Sequence, residues 1–459
     1  MNRKSFFKHL SLLGASMGMF ARVAEATKAK VIKHKKANFS YDKKIFKLGS
    51  HTLKVEIPDA YKSKIQDLKI ELRKESQNFE NDILLKPNVK DGYLELNVDF
   101  KREGRYTICF FDPSDKKKGT KIAFAFIRMY ALKDDLYALR PLKGDTHIHS
   151  TNSDGKNTPI EVALRCYEVG LDYQAISDHR RWDTSDDMKK QLGKYDTSMS
   201  FYHAEECHFA ISHIQSLGAR QGLTDYINAN KAQFDKRVAE YIKTLPSDMP
   251  EKLKTEVALV EVQCQIINEI GGISVLNHPY WYSGTRFNMT DESVEALCAR
   301  KKFDVFEFIN FGCKDISTSL SNAKYTELCK DGIKYPIIGT TDAHRISAQG
   351  YGYTIAFSKS TKWEDVKDAI LNYRSLAVSD TDYGKCYSHL KERMIYGERR
   401  LINYAHFLVK EYFPEHDKLV AEEGKLLKEI LEKGETKERL AKLKEASNKS
   451  KSLWDSVLG

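Results

Sequence analysis

The sequence contains few of the features that mark special protein classes. Its 459 residues include only 10 prolines and 25 glycines, which excludes a collagen-like chain or one dominated by flexible linkers. Charge of one sign is not concentrated: 74 basic and 64 acidic residues leave a net charge of +10, with lysine spread over nearly every segment. Charge alone therefore does not indicate a nucleic-acid-binding arm. With 41% hydrophobic residues, the chain has enough apolar side chains for a packed core, and its length predicts two to four structural units.

Cysteine pairs of the CxxC type are also absent. The eight cysteines stand singly, at positions 109, 166, 207, 264, 298, 313, 329 and 386. An even number permits disulfides in an exported protein, but several of these cysteines fall within apolar or helical patterns, where a buried free thiol is typical. We therefore expect few disulfide bridges or none.

The first 26 residues resemble an export signal. Basic residues at the start precede a short apolar stretch over residues 10–21, and Ala24-Glu25-Ala26 has the small-x-small form that signal peptidase cuts. The apolar stretch is too short for a stable membrane span. The sequence thus predicts an exported, periplasmic protein whose mature chain begins at Thr27. An ordinary amphipathic first helix is the alternative.

The periodicity of apolar residues changes along the chain. Up to about residue 130, short alternating runs such as 92–100 and 105–111 are separated by turn residues, which predicts a small antiparallel β-sandwich over 27–138. Apolar runs then alternate with helical patterns, which is typical of a mainly parallel α/β domain, here over 139–384. Residues 223–270 are predicted to form a helical insertion in that domain, and residues 385–459 a helical tail.

Histidine and acidic residues follow several of the apolar runs. The segment Gly144-Asp145-Thr146-His147-Ile148-His149-Ser150 places two imidazoles two residues apart, so both point to the same side of an extended chain. Asp154 follows in a turn, and the next run ends in Ser177-Asp178-His179. Further along come Glu205-Glu206, His213, His278 before Pro279, and Asp342 with His344.

Strand ends with these side chains predict a metal site. The carboxyl ends of barrel strands share one face, so distant segments deliver ligands to one point. Imidazole together with carboxylate suits Zn, Mn or Fe better than Ca.

In the order of these motifs, residues 143–382 resemble the PHP (polymerase and histidinol phosphatase) superfamily of metal-dependent phosphoesterases. The resemblance rests on the HxH opening, the Asp that follows it, the Asp-His strand end, the Glu-x6-His pair, the His-Pro strand end and the closing Asp-x-His. It implies a distorted (β/α)7 barrel with two or three divalent metal ions at its mouth. The implied ligands are His147, His149, Asp154, His179, Glu206, His213, His278, Asp342 and His344.

The resemblance also implies how the ligands are shared. His147, His149, Glu206 and Asp342 would hold the first ion, Glu206 would bridge to a second with His213 and His278, and Asp154, His179 and His344 would hold the third. One position departs from the family, because Ala204 stands where a glycine is usual before the Glu pair. Glu205 remains an alternative to Glu206, and His208 an alternative to His213.

Candidate catalytic and substrate-binding residues lie next to the implied ligands. Asp178 would orient a ligand ring or shuttle a proton, with a purely structural turn acid as the alternative. Arg180 and Arg345 each directly follow a ligand, and the guanidinium fork matches phosphate geometry. His278 is predicted to be both a ligand and a catalytic residue. The candidates for contact with substrate are His203, Arg180, Trp281 and Asn310, and Glu307 is a candidate for supporting the ligands.

The predicted function is an exported hydrolase that cleaves a small phosphomonoester or phosphodiester with metal-activated hydroxide. A β-sandwich before such a barrel also resembles the branch of the superfamily that includes carbaryl hydrolase. Hydrolysis of a carbamate or carboxylic ester by the same metal site is therefore the main alternative, and a metal-binding module without turnover is another. DNA processing, known elsewhere in the superfamily, fits poorly with export, so nucleic acid is not the expected substrate.

Overall fold

The computed structural model of the chain describes residues 39, 41, 43–75, 82–115, 118, 122–313, 315–381 and 392–458. The predicted export signal and Cys386 lie outside these residues. The described chain divides into two compact units. The first contains residues of the ranges 50–98 and 107–128, and the second contains 43–49, 99–106 and the chain from Met129 onward.

The first unit is built from short β-strands. The strands of the N-terminal part of the chain are β1 (Ile45–Lys47), β2 (Gly49–Glu56), β3 (Lys69–Lys74), β4 (Ile83–Leu85), β5 (Asn88–Lys90), β6 (Tyr93–Phe100), β7 (Gly104–Phe111) and β8 (Ala125–Leu132). In the first unit, β2, β6 and β5 form one sheet, while β8, β7, β3 and β4 belong to another. The alternating runs predicted at 92–100 and 105–111 correspond to β6 and β7.

Burial along β6 shows why the alternation produces a strand. Leu94, Leu96 and Val98 are buried, whereas the residues between them are exposed or half-buried. Successive side chains of a strand point to opposite faces, so this pattern gives the strand one apolar face. The core of the unit also contains stacked rings, with the Phe39 and Phe110 centroids 4.1 Å apart.

The second unit contains a ten-stranded sheet and most of the helices. Its further strands are β9 (Arg140–Asp145), β10 (Tyr173–Ile176), β11 (Ser200–Cys207), β12 (Ile214–Leu217), β13 (Ile273–Leu276), β14 (Val305–Asn310), β15 (Ile337–Thr340), β16 (Gly352–Ser358), β17 (Ser375–Thr381) and β18 (Glu392–Tyr396). Their order in the sheet is β15-β14-β13-β12-β11-β10-β9-β16-β17-β18.

The helices of this unit mostly follow the strands. They are α1 (Asp134–Tyr137), α2 (Pro159–Glu168), α3 (Thr184–Leu192), α4 (Leu223–Ala229), α5 (Lys231–Ile242), α6 (Glu251–Glu269), α7 (Asp291–Arg300), α8 (Asp315–Lys330), α9 (Trp363–Leu371), α10 (Arg399–Glu411), α11 (Phe413–Lys433) and α12 (Lys437–Leu458). Local sequence explains where α2 begins, because Thr158 and Glu161 form a reciprocal capping box ahead of its apolar residues. The unit is thus mixed α/β, as the periodicity predicts.

Six strands of the sheet point the same way. Strands β9, β10 and β11 are parallel, as are β13, β14 and β15, and both β11 and β13 are antiparallel to β12. The sheet also curls, since Thr354 of β16 donates a hydrogen bond from Oγ1 to the Gly339 carbonyl of β15, at 2.9 Å. A Cβ at Gly339 would lie 2.7 Å from the Tyr353 carbonyl oxygen, so only glycine allows this approach. The carboxyl ends of the six strands consequently share one edge of a curled half-barrel.

The predicted insertion consists of three helices. Helices α4, α5 and α6 connect β12 to β13, which are hydrogen-bonded neighbours. Their apolar residues, including Leu223, Phe234 and Val260, are buried in a common core. The insertion therefore packs on the sheet as part of the unit.

The C-terminal segment differs in part from the prediction. Residues Glu392–Tyr396 form β18, which pairs with β17, so the helices begin only at Arg399. The strand was missed because its side chains alternate too briefly to stand out. Helices α11 and α12 form a hairpin that turns at Gly434, whose φ of 83° favours glycine. Trp454 on α12 is buried and helps to fix this helix.

The cysteines of the described chain agree with the expectation of few disulfide bridges or none. Its seven cysteines (Cys109, Cys166, Cys207, Cys264, Cys298, Cys313 and Cys329) form no disulfide. No helix within the described ranges combines the length and the apolar character needed to cross a membrane.

A buried histidine links α11 to the sheet. His416 is 1% exposed, and its Nε2 lies 2.8 Å from Oδ1 of Asp172, the residue before β10. Burial opposes a charged ring, but the Asp172 carboxylate outweighs it and raises the pKa of His416 to about 9. Because this value lies above the roughly 6.5 of an unfolded histidine, the pair stabilises the fold fully below about pH 6.5. This contribution is lost as the pH rises through about 9.

We therefore expect His416→Gln to destabilise the protein more at pH 6 than at pH 10, by on the order of 2 kcal/mol. Thermal or urea unfolding of both proteins at the two pH values measures the difference. His406→Gln is the control, because burial and the nearby Arg105 and Lys410 lower the pKa of His406, the opposite direction to His416, so its replacement should not destabilise the protein more at pH 6 than at pH 10. Equal destabilisation by His416→Gln at both pH values would contradict the assignment.

Candidate metal centre

The nine implied ligands converge at the edge where the parallel strands end. Their convergence follows from chain direction, because each is carried by a strand end or by the loop beside one. His147 and His149 follow β9, Asp154 lies in the next turn, His179 follows β10, Glu206 lies near the end of β11, His213 precedes the antiparallel β12, His278 follows β13, and Asp342 and His344 follow β15.

His147 and His149 face the same carboxylate, as their spacing predicts. Both rings are buried, and their Nε2 atoms lie 3.4 Å and 3.1 Å from Oδ1 of Asp342. The backbone fixes this arrangement, since the Asp342 amide donates to the His147 carbonyl at 2.8 Å. The ends of β9 and β15 are thereby held side by side.

Glu206 lies at the centre of the cluster and is 1% exposed. Its two carboxylate oxygens face different sets of side chains. Oε1 lies within 3.1 Å of His213 Nδ1, His278 Nε2 and Asn277 Nδ2. Oε2 lies 3.0 Å from His179 Nδ1, 3.3 Å from His149 Nε2 and 3.4 Å from His147 Nε2. This geometry suits a carboxylate that bridges two cations.

The alternative carboxylate, Glu205, points elsewhere. It accepts hydrogen bonds from the amides of Leu223 and Thr224, at 2.8 Å and 3.1 Å, and so caps the first turn of α4. The sequence leaves open whether Glu205 or Glu206 belongs to the ligand set. The structure places only Glu206 among the histidines.

Asp154, His179 and His344 form the outer part of the cluster. Oδ2 of Asp154 lies 3.2 Å from His344 Nε2 and 3.5 Å from His179 Nε2. The Asp154 side chain is half exposed, in contrast to the buried His147 and His149. This group is therefore open to solvent while the inner group is not.

The electrostatics of the cluster keep its carboxylates ionised. Burial opposes charge, yet the neighbouring histidines hold the pKa values of Glu206 and Asp342 well below their usual range. Burial also opposes a charged His149, but the carboxylates of Asp342 and Glu206 outweigh it and raise the pKa of His149 to about 9. Burial prevails at His213 and lowers its pKa. The cluster thus attracts positive charge at neutral pH.

The donor atoms of the cluster fit a divalent transition metal. Nε2 of His147, both ring nitrogens of His149 and Nδ1 of His179 are buried and make no hydrogen bond. An unpaired buried polar atom costs about 1–3 kcal/mol, and a cation bound by the ring nitrogens would remove that cost. Imidazole and carboxylate donors together suit Zn, Mn or Fe.

Glu307 supports the inner ligands from β14. Its Oε1 lies 2.7 Å from Nδ1 of His147, which leaves the Nε2 of that ring directed at the cluster. Its Oε2 accepts a hydrogen bond from the His278 amide at 2.6 Å and from Asn310 at 3.1 Å. A carboxylate behind a ligating histidine orients the ring and makes it a better ligand. Asn310 itself is buried and also contacts Asp342, at 3.3 Å.

The carboxylate of Asp178 is hydrogen-bonded to the loop that follows His149. It is buried, and its carboxylate accepts hydrogen bonds from the amide and hydroxyl of Ser150 and from the hydroxyls of Ser153 and Thr184, at 2.5–2.8 Å. These contacts favour the structural role that the sequence left as an alternative for Asp178.

Three residues at these strand ends have a backbone conformation that L-residues rarely adopt. The φ angles of Arg180, His278 and Asp342 are 56°, 23° and 50°. Such conformations cost about 1–3 kcal/mol each and persist where the surroundings enforce them. The side chains of His278 and Asp342 reach Glu206 and the HxH pair from these turns.

A cleft of about 390 Å³ opens over the cluster. Besides seven of the implied ligands, its lining includes Trp281, Gly312, Arg345, Ser347 and Ala348. Of the predicted substrate contacts, Trp281 is therefore at the cleft. His203 instead stacks on Trp182 and lies 2.7 Å from Asp186, and Asn310 lies behind the ligands. Arg180 is exposed and donates to the His208 carbonyl at 3.4 Å.

The loop between β11 and β12 carries His208 and His213 and is held by the insertion. Glu256 on α6 accepts hydrogen bonds from the amide and hydroxyl of Ser212, at 2.9 Å and 2.6 Å, and from the Ile211 amide at 3.2 Å. Sequence reasoning did not find Glu256, since it lies 44 residues from Ser212 in one of many charged helical turns.

We expect Glu256→Gln to weaken metal binding about tenfold, because a neutral amide cannot accept all three hydrogen bonds and the His213 loop loosens. A chelator-competition titration of the purified protein measures this. Glu261→Gln, on the same helix, is the matched control: it breaks a buried ion pair with Arg300 that does not touch the loop. An equal loss of metal affinity in both variants would contradict a specific role for Glu256.

Comparison with known proteins found limited similarity. No family model matches the chain. The chain is 39% identical over 56 residues to the DNA polymerase/3′-5′ exonuclease PolX of Bacillus subtilis, which is 12% of this chain and 10% of that protein. It thus spans about a tenth of the length of the curated relative that it matches.

Solved structures with a similar arrangement include a two-domain protein from Bacteroides vulgatus, described as containing a predicted PHP-like metal-dependent phosphoesterase. The two are 17% identical, with 52% of this chain and 65% of that chain covered and a TM-score of 0.36. A lesion-specific endonuclease from Pyrococcus furiosus is 16% identical, with 56% and 58% covered and a TM-score of 0.33.

Proposed function

We propose that this protein is a metal-dependent hydrolase that cleaves phosphate esters, mono- or diesters of small molecules, in the cleft over the Glu206 cluster. The observation that carries the proposal is the position of Glu206, whose two oxygens face separate groups of histidines. Ligands from six strand ends meet there, and a structural role alone does not account for unpaired buried ring nitrogens in such number.

The ligand sets follow the arrangement of the donors. His147, His149, Asp342 and Glu206 would hold one ion, Glu206 with His213 and His278 a second, and Asp154, His179 and His344 a third. Bound divalent ions would lower the pKa of a water molecule towards neutrality and offset the charge that develops on the leaving oxygen. Zn, Mn and Fe all suit these donors.

The residues of the chain would then bind and orient the ester. Arg345 follows His344 directly and lines the cleft, where its guanidinium can pair with a phosphoryl group. Arg180, exposed beside His179, is a second candidate for this role. Trp281 provides an apolar wall 5.9 Å from the His278 ring. Glu307 keeps the His147 ring in one orientation, and His278 is proposed to act in catalysis as a ligand.

Hydrolysis of a carbamate or carboxylic ester is the alternative, and Trp281 is the observation that favours it. A neutral aryl ester would use the indole wall more than a cation. We further propose that the described residues belong to an exported, periplasmic protein. A signal over 1–26 would precede a β-sandwich over 27–138 and a distorted (β/α)7 barrel over 139–384, followed by a C-terminal segment that is helical from Arg399.

The test is a side-by-side hydrolysis assay of the purified protein after loading with Mn or Zn. The substrates are p-nitrophenyl phosphate, bis-p-nitrophenyl phosphate and a p-nitrophenyl carboxylic or carbamate ester. We expect turnover of a phosphate ester that disappears in His147→Ala, because that variant removes an inner ligand. Turnover of the carbonyl ester alone supports the alternative. Bound metal without turnover of any of the three indicates a binding module.

Arg345→Ala separates the two ester classes more sharply. We expect kcat/KM for the phosphate ester to fall about 10- to 100-fold, which corresponds to about 1.4–2.7 kcal/mol of transition-state stabilisation, while any turnover of the carboxylic ester changes little. Arg181→Ala is the control, because Arg181 pairs with Asp183 and does not line the cleft. A phosphate-ester rate unaffected by Arg345→Ala would argue against anion binding by this residue.

A further inference from the structure

A tenth side chain with a metal-binding atom lies in the cluster, outside the implied ligand set. His208 is carried by the loop between β11 and β12, five residues before His213. Its Nε2 lies 3.9 Å from Oε2 of Glu206. His213 faces the other oxygen of this carboxylate, with its Nδ1 3.0 Å from Oε1. The two histidines therefore face different oxygens of Glu206 and need not compete for one position.

The surroundings of His208 leave its ring nitrogen unpaired. Nε2 of His208 and Nδ1 of His179 are both buried and make no hydrogen bond. The His208 ring stacks on His213, with centroids 3.9 Å apart, and meets the edge of the His179 ring at 4.3 Å. The two rings are 23% and 24% exposed, but these nitrogens are buried. Two buried, unpaired imidazole nitrogens beside one carboxylate form an incomplete donor set, which a cation would complete.

The position of His208 argues for a metal contact more than for a substrate contact. It does not line the cleft, whereas His179, His213 and Glu206 do. Two sets of hydrogen bonds also hold its loop in place. Glu256 accepts from Ser212, and Asn288 donates to the Ile211 carbonyl at 2.7 Å. A histidine whose loop is held in place, which does not line the cleft and whose buried Nε2 is unpaired has the features of a ligand.

We propose that His208 is an additional metal ligand, and that it holds a divalent transition-metal cation together with His179 and Glu206, on the Oε2 side of the bridging carboxylate. The proposal rests on the proposed function and refines it, because it gives the two histidines of one loop to two different ions. His179 then binds this ion through Nδ1 and keeps the proton on Nε2, which lies 3.5 Å from Oδ2 of Asp154, so that Asp154 and His344 remain as the outer ligands. The ligand atoms of His179, Glu206 and His208 all lie within 4.8 Å of one another.

The experiment counts ions. The full chain and the variants His208→Ala and His208→Gln are loaded with Mn or Zn, freed of unbound metal by gel filtration and analysed for metal per chain by plasma mass spectrometry. We expect both variants to retain about one ion fewer per chain, or to bind the weakest ion roughly tenfold less tightly in chelator competition. His406→Ala, a histidine on α10 outside the cluster, should keep the full ion content.

Cobalt substitution adds a second measurement that does not depend on activity. Loss of an imidazole from a Co²⁺ site changes its visible d–d absorption, so the spectrum of His208→Ala should differ from that of the parent protein and of His406→Ala. Matching circular dichroism of the metal-free proteins establishes that the variants are folded, and His208→Gln serves if the alanine variant is not.

The outcomes separate this proposal from the proposed function. If the parent protein binds ions and hydrolyses esters while both His208 variants keep its ion content, chelator midpoint and cobalt spectrum, His208 is not a ligand and only this inference fails. If the parent protein holds no ion, the proposed function fails with it.

Discussion

The buried carboxylate of Glu206 is the interaction on which the arrangement of the site depends. It is 1% exposed and close to the rings of His147, His149, His179, His213 and His278. A buried charge without a partner costs several kcal/mol, so this carboxylate requires positive charge on both sides. Histidines alone provide part of it, and divalent cations held by the same histidines would provide more. The strand ends, the turn residues and the supporting carboxylates all serve to hold rings around this one group.

Asp145 and Glu307 are two further buried carboxylates, which surround the segments that carry the implied ligands. Asp145 accepts from the amides of His147 and Thr341, and Glu307 accepts from the His278 amide and contacts the His147 ring. Each thus joins two segments that carry ligands. Burial raises the pKa of Asp145 to about 7, with hydrogen bonds opposing it, whereas the nearby His147 keeps the pKa of Glu307 below its usual range. The geometry of the site is therefore set by acids that contact no solvent.

The sequence predicts the parts of this site that depend on local spacing. His147 and His149 share a face because strand residues alternate, and several other candidates stand out because they follow apolar runs. The full set of nine was implied by the resemblance to the PHP superfamily. Contacts between distant segments have no such signal. Glu256 reaches Ser212 from an insertion helix, and His203, which was expected at the cleft, is held by Trp182 and Asp186 instead. Strand β18 likewise depends on its pairing with β17 and was assigned to the helical tail.

Charge at the cluster bears directly on the choice between phosphate and carbonyl esters. Asp154, Glu206, Glu307 and Asp342 place four carboxylates around the ligands, which without cations would repel a phosphate anion. Two divalent ions balance these four charges, and a third leaves the site positive. Among the described residues that line the cleft, Arg345 is the one arginine, and no lysine is present. On the proposed function, affinity for an anionic ester would therefore depend on the number of bound ions and on this arginine. A neutral ester would depend on neither and would be selected by contacts such as Trp281.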